Sequence, residues 1–200
     1  MPRPSQELKI LEAALACFAE HGYDGTRIKQ IAQRAGVSEG ALYRHYPSKE
    51  AVARALFIEH MGDLGHAAAQ IVALPLATPA RLERCVKLIL ARYRANPAAM
   101  LFVLQQKPQL FGEIPPGFLW PLDMLERLMA EGQRDGSVRA GQPNLLAAMF
   151  LGCLVRPLLV AEYADPGSLD LLHTTAHDRT IVAAALAAVA RPSAREAPDE

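Results

Sequence analysis

The sequence predicts an all-α protein, with an N-terminal three-helix helix-turn-helix domain followed by a larger C-terminal helical bundle. Three observations predict it. Apolar residues recur at helical spacing in widely separated stretches: Leu8, Leu11, Leu15 and Phe18; Leu82, Val86, Ile89 and Tyr93; Phe118, Leu122, Leu125 and Met129. Pro75, Pro97, Pro108, Pro115, Pro143 and Pro166 punctuate the segments, and no alternation of useful strand length interrupts them. Between Thr26 and Lys49, finally, the chain spells two short helices joined by a tight turn.

Each element of that N-terminal unit has a local cause. Ile28, Ile31, Ala32 and Ala35 form one stripe, and Gly36 follows where a left-handed residue is wanted, so this helix stops at Ala35. Ser38 is placed to accept an orphan backbone N–H of a new helix, while Val37 and Leu42 are spaced for a hydrophobic staple. So short a turn forces a steep crossing, and the second helix projects with its first turn free to enter a major groove. Leu42 and Val37 are read as packing against Leu11, Leu15 and Phe18 on the preceding helix, which holds the reader without reading.

Charge is distributed to match. Lys plus Arg and Asp plus Glu both total 21, so the chain is neutral and has no general affinity for polyanions. Within residues 26–49, however, Arg27, Lys29, Arg34, Arg44 and Lys49 face the single acid Glu39. Positive charge is gathered around the helix pair, and the slightly acidic remainder is discouraged from lying along DNA.

The run Thr26, Ile31-Ala32, Ala35-Gly36-Val37-Ser38, Gly40, Leu42-Tyr43, His45-Tyr46 and Pro47-Ser48-Lys49 resembles the N-terminal signature of TetR/AcrR-type transcriptional regulators. Ile10, Ala13, Ala14, Phe18, Gly22 and Tyr23 extend the resemblance over about the first quarter of the chain. Tyr46 departs from it, standing where the family usually carries Phe, and its hydroxyl is expected to face solvent or phosphate. The resemblance implies a ligand-responsive regulator, in most members a repressor, that binds an inverted-repeat operator in double-stranded DNA as a homodimer. No cofactor and no metal are implied.

Roles follow position by position. Tyr43, His45 and Lys49 fall at the exposed end of the reader helix and suit phosphate oxygens, as the family's contacts there do. Arg27 and Lys29 open the preceding helix and are assigned to the adjoining phosphate strand or an outer base. For bases, Glu39 suits cytosine N4, Gly40 permits close approach, and the Ala41 methyl suits a thymine methyl; Arg44 faces either guanine or water.

Residues 1–50 are thus read as the DNA-binding domain, 51–190 as the ligand-binding and dimerisation domain, and 191–200 as a disordered tail poor in apolar residues. Residues 144–162 are apolar nearly all round and the expected final helix, 169–190, is dense in alanine, so both need cover on several sides. Family members dimerise through their last two helices. The expected interface is a four-helix bundle involving Leu146, Met149, Phe150, Cys153, Pro157, Ala183, Ala184 and Ala187. In the family the intervening block encloses a small molecule. Here it holds Phe57, Met61, Tyr93, Met100, Phe102, Phe111, Phe118, Trp120 and Met124, lining an expected pocket for an apolar or amphipathic effector. The connector 107–117 is read either as a mobile flap or as a fixed loop, and Gly62 and Gly65 as points that soften the helix leaving the reader.

The other classes find little support. His173 and His177 are spaced to share one face of the final helix near Asp170 and Asp178, but no third ligand, phosphate loop or nucleophile completes a helical-bundle enzyme site. An interaction module that keeps the helix pair only for packing leaves Tyr43, His45 and Lys49 unexplained. With no apolar run of membrane-spanning length and no leader evident, the expected location is the cytoplasm. Cys17, Cys85 and Cys153 are odd in number and widely spaced, and are read as buried thiols.

Overall fold

The computed structural model describes residues 5–105, 113–162 and 169–192, and helices dominate these residues. In chain order they are α1 (Gln6–Gly25), α2 (Ile28–Ala35), α3 (Glu39–His45), α4 (Lys49–Val72), α5 (Thr78–Ala95), α6 (Pro97–Gln105), α7 (Pro121–Asp135), α8 (Pro143–Ala161) and α9 (Asp178–Val189). Proline opens α6, α7 and α8, where its missing N–H costs no helical hydrogen bond. The chain divides into two compact units, residues 1–62 with 96–118 and residues 63–95 with 119–200.

In the first unit α1 packs against α2 and α6, and α2 against α3. Ile10, Ala14, Ile31, Leu42, Val52 and Phe57 are wholly inaccessible, and Phe18 stacks on Phe102 of α6 with ring centroids 5.5 Å apart. Leu8, expected on this apolar stripe, lies a turn too early and is 41% exposed. The end of α1 is bent at Gly22, whose φ of 71° is open to glycine at no steric cost.

In the second unit α8 packs against α7 and α9, and α5 against α7 and α9. Val86, Leu128, Met129, Phe150, Leu154, Leu158 and Ala185 form its core. Polar side chains tie its edges. Buried Thr78 donates its hydroxyl to the Asp135 carboxylate at 2.7 Å, and Arg81 pairs with Glu131 at 2.7 Å while donating to the Val72 carbonyl at 2.9 Å. Arg94 of α5 donates to the Leu171 and Thr174 carbonyls and pairs with Asp178 at the start of α9.

Several expectations are corrected. The final helix begins at Asp178, so His173 lies in the preceding turns and His177 at the helix boundary, and they share no helical face. Asp170 accepts the N–H groups of Leu172 and His173, and Asp178 is taken by Arg94. Phe118 precedes α7, which opens after Trp120. Gly65 does more than soften α4: a Cβ there would collide with the Leu119 carbonyl, so its bareness allows a close approach of backbone. Cys17 and Cys85 are buried, and burial pushes the Cys85 thiol up to about 12, whereas Cys153 is only half-buried. By length and composition α8, with a mean hydropathy of 1.9, does reach membrane-spanning dimensions, contrary to the sequence reading.

The residues assigned to the dimer face separate into two groups. Leu146 and Phe150 point into the core of their own unit, because α8 turns that stripe toward its neighbours. Met149 is 41% exposed, Cys153 and Pro157 are half-buried, and Ala183, Ala184 and Ala187 are exposed on α9. Among the expected pocket residues, Phe57, Met100 and Phe102 are buried and Met61 and Phe118 half-buried in the first unit; in the second, Tyr93 and Met124 are buried and Trp120 is half-buried. Tyr93 donates its hydroxyl to Glu162 at 3.3 Å. Phe111, most of the connector and residues 193–200 of the expected tail lie outside the described residues.

Candidate nucleic-acid interface

The reader is built from its caps outward. Thr26, 2% exposed, donates its hydroxyl to the Gly22 carbonyl at 2.7 Å, fixing the angle at which the chain leaves α1. The Gln30 side chain then accepts the Arg27 N–H at 2.7 Å, satisfying one donor at the start of α2. At the other end Gly36 takes φ 67° and ψ 33°, Val37 N–H reaches the Ala32 carbonyl at 3.0 Å and Gly36 N–H the Gln33 carbonyl at 3.2 Å. This is a Schellman stop. Two residues on, the Ser38 hydroxyl accepts the Ala41 N–H at 3.1 Å and α3 begins.

The two sides of α3 differ. Leu42, fully buried, and Ala41, 7% exposed, face the core of the unit, while Glu39, Gly40, Tyr43, Arg44 and His45 are exposed. Arg27 and Lys29 are exposed at the start of α2. These seven residues share the first unit and stay available to a ligand. Ala41 does not, since its methyl is used in packing, so the candidate reading group narrows to Glu39, Gly40 and Arg44. Arg34, counted in the basic cluster, pairs with Glu20 of α1 at 2.6 Å, and its charge is partly neutralised.

Two further residues are placed otherwise than expected. Tyr46 is buried and its hydroxyl donates to Glu7 of α1 at 3.1 Å, facing neither solvent nor phosphate. Burial, followed by the Glu7 carboxylate, pushes its phenol well above the ordinary range. Lys49 turns its ammonium back to the end of α1, donating to the Tyr23 carbonyl at 2.7 Å and the Thr26 carbonyl at 3.0 Å, and lies 4.4 Å from the Tyr23 ring centroid. The Tyr23 phenol is itself pushed up to about 12 by burial and then by Glu50. Neither contact has a local pattern in the sequence, because the partners stand 39 and 23 to 26 residues apart.

A capped, short helix with one buried face and one polar, exposed face, set behind a glycine turn, defines the helix-turn-helix class of regulators. Comparison with known proteins fixes which one. The family model for bacterial regulatory proteins of the tetR family matches residues 10–56. An uncharacterized HTH-type transcriptional regulator of Mycobacterium tuberculosis is 30% identical over 163 residues, covering 78% of this chain and 82% of the relative. The chain belongs to the TetR family of transcriptional regulators, and it is a DNA-binding regulator and not an enzyme. Its fold is shared with FadR from Bacillus subtilis in complex with stearoyl-CoA, at a TM-score of 0.74 and 22% identity over 90% of this chain and 98% of that one. AibR in complex with isovaleryl coenzyme A and operator DNA matches at a TM-score of 0.70 and 19% identity, over 94% of this chain and 100% of that one.

Proposed function

We propose that this chain is a dimeric repressor that reads an inverted-repeat operator with α3 and is released from it by an amphipathic acyl thioester. The observation that carries the reading is the two-sidedness of α3: Ala41 and Leu42 anchor it while Glu39, Gly40, Tyr43, Arg44 and His45 remain exposed. Tyr43, His45, Arg27 and Lys29 are assigned to phosphate oxygens, and Glu39, Gly40 and Arg44 to base edges. DNA binding belongs to residues 1–50, and effector binding and dimerisation to residues 51–190.

The dimer reading rests on α8 and α9. Leu145 is 57%, Met149 41% and Val160 39% exposed on α8, and α9, packed beside it, exposes Ala183, Ala184 and Ala187. So much exposed apolar surface on a helix of α8's composition calls for cover, and a second copy supplies it in the manner of a four-helix bundle. Two readers then meet half-sites about 34 Å apart, or a further turn. The place of action is the cytoplasm, where the DNA lies.

The effector class is supported by the two structures just described, whose ligands are stearoyl-CoA and isovaleryl coenzyme A. An acyl thioester combines an apolar chain with a polar, anionic remainder, the amphipathic character expected of the effector. Because α4 starts directly behind the reader, an effector that prefers a shifted α4 weakens operator binding by its differential affinity for the two states. Selecting duplexes from a random library with the purified chain, then titrating short- and long-chain acyl-CoA into the complex, tests the whole reading. An inverted repeat should emerge and acyl-CoA should release it; an operator indifferent to every acyl-CoA refutes the effector assignment, and failure to enrich any duplex refutes the operator reading.

A further inference from the structure

We propose that the loop between α7 and α8, together with the chain leaving α9, forms an anion site for a phosphate group carried by a small organic molecule. The hollow there has a volume of about 500 Å³, a size that suits a small ligand, and Gln133, Gly136, Val138, Arg139, Gly141 and Arg191 are among the residues lining it. It lies within the second unit, and no residue assigned to the reader or to the effector takes part in it.

Several separate contacts hold its walls. Val138 pairs with Ala190 in an antiparallel bridge, where the Arg139 N–H donates to the Val189 carbonyl at 2.9 Å and the Arg191 N–H to the Ser137 carbonyl at 3.2 Å. The Gln133 amide donates to the Arg139 and Gly141 carbonyls at 3.0 and 2.7 Å, tying the loop to α7. Val138 is buried against the bare Cα of Gly132, where a Cβ would collide with it. Two arginines therefore leave a fixed backbone around one hollow. Their charge is not answered by the protein. Among the described residues no carboxylate pairs with Arg139 or Arg191, and none lines the hollow. The neighbouring acids are engaged elsewhere: Asp135 accepts the Ser137 N–H and the Thr78 hydroxyl, and Glu131 pairs with Arg81. Two guanidiniums offer two positive charges and forked N–H donors, which match a phosphate group of about two negative charges, whereas a lone carboxylate answers only one. A free nucleotide and the nucleotide half of coenzyme A both carry such a group.

Calorimetric titration of ADP, coenzyme A and succinate into wild type, Arg139→Gln, Arg191→Gln and, as a control, Arg84→Gln on the exposed side of α5 tests the site. At least one of the two phosphate compounds should bind wild type saturably, about tenfold or more weakly to each hollow variant, and unchanged to Arg84→Gln. Equal affinity for ADP and coenzyme A identifies a nucleotide as the source, and binding of coenzyme A alone identifies the thioester carrier; both support the site. Absence of phosphate binding, binding indifferent to both arginines, or succinate bound as tightly as the phosphates overturns it. Should a variant not fold, the amide spectrum of wild type makes the distinction. Shifts on ligand addition centred on residues 136–141 and 189–192 support the site, and shifts centred anywhere else, the reader's phosphate contacts included, overturn it.

Discussion

At the residue scale the reader depends on a few side chains that never meet DNA. Leu42 is wholly buried beneath α3, and Leu42→Ala should cost about 2 to 5 kcal/mol in urea unfolding, with DNA binding lost through instability. Tyr46→Phe removes only the hydrogen bond to Glu7, so a loss near 1 kcal/mol is expected in the same measurement. Asp135 offers a pH test in the other unit. Hydrogen bonds from Ser137 and then from the Thr78 hydroxyl hold its carboxyl below the ordinary range. A depressed carboxyl contributes stability above its unfolded value, and that contribution is lost as pH falls through its folded value. The melting temperature of Asp135→Asn should therefore lie below wild type at neutral pH and converge with it on acidification below the ordinary Asp range; a gap constant with pH speaks against the charge-dependent bonds.

At the element scale, α8 and α9 form a packed pair with an exposed apolar side. Met149→Glu and Ala184→Glu place a carboxylate on that side without entering the core, so each should convert the proposed dimer to monomer in sedimentation experiments while leaving helicity intact. Dimers that persist in both variants would place the interface elsewhere. The elements also mark what was legible in the sequence. The stop at Ala35, the cap at Ser38 and the packing role of Leu42 were readable because caps and amphipathic stripes are local, and the structure has each of them. The start of α9 was not: alanine-rich composition extends the helical pattern upstream, but Asp170 and Arg94 hold residues 170–178 in turns through contacts that span up to 84 residues. Nor was the choice of inward stripe on α8, since a helix apolar on all sides carries no sign of which side meets its own neighbours. The turn of the Lys49 ammonium toward the end of α1 and the burial of Ala41 were not legible either, because both depend on tertiary partners.

At the scale of the whole molecule the proposed function couples two equilibria, operator binding and effector binding. Linkage requires acyl-CoA to weaken the operator complex by the same factor that operator weakens acyl-CoA, which calorimetry on the free protein and on the complex can compare; equal acyl-CoA affinities in the two would remove the coupling. The more direct test addresses α3 itself. Dimethyl sulfate methylates guanine N7, which lies in the major groove, so protection of the selected operator reports entry of the reader. Reading by a pair of α3 helices predicts two protected patches, one in each half-site and about 34 Å or one further turn apart, both abolished by high salt. Tight binding with every guanine N7 left open to methylation would contradict it.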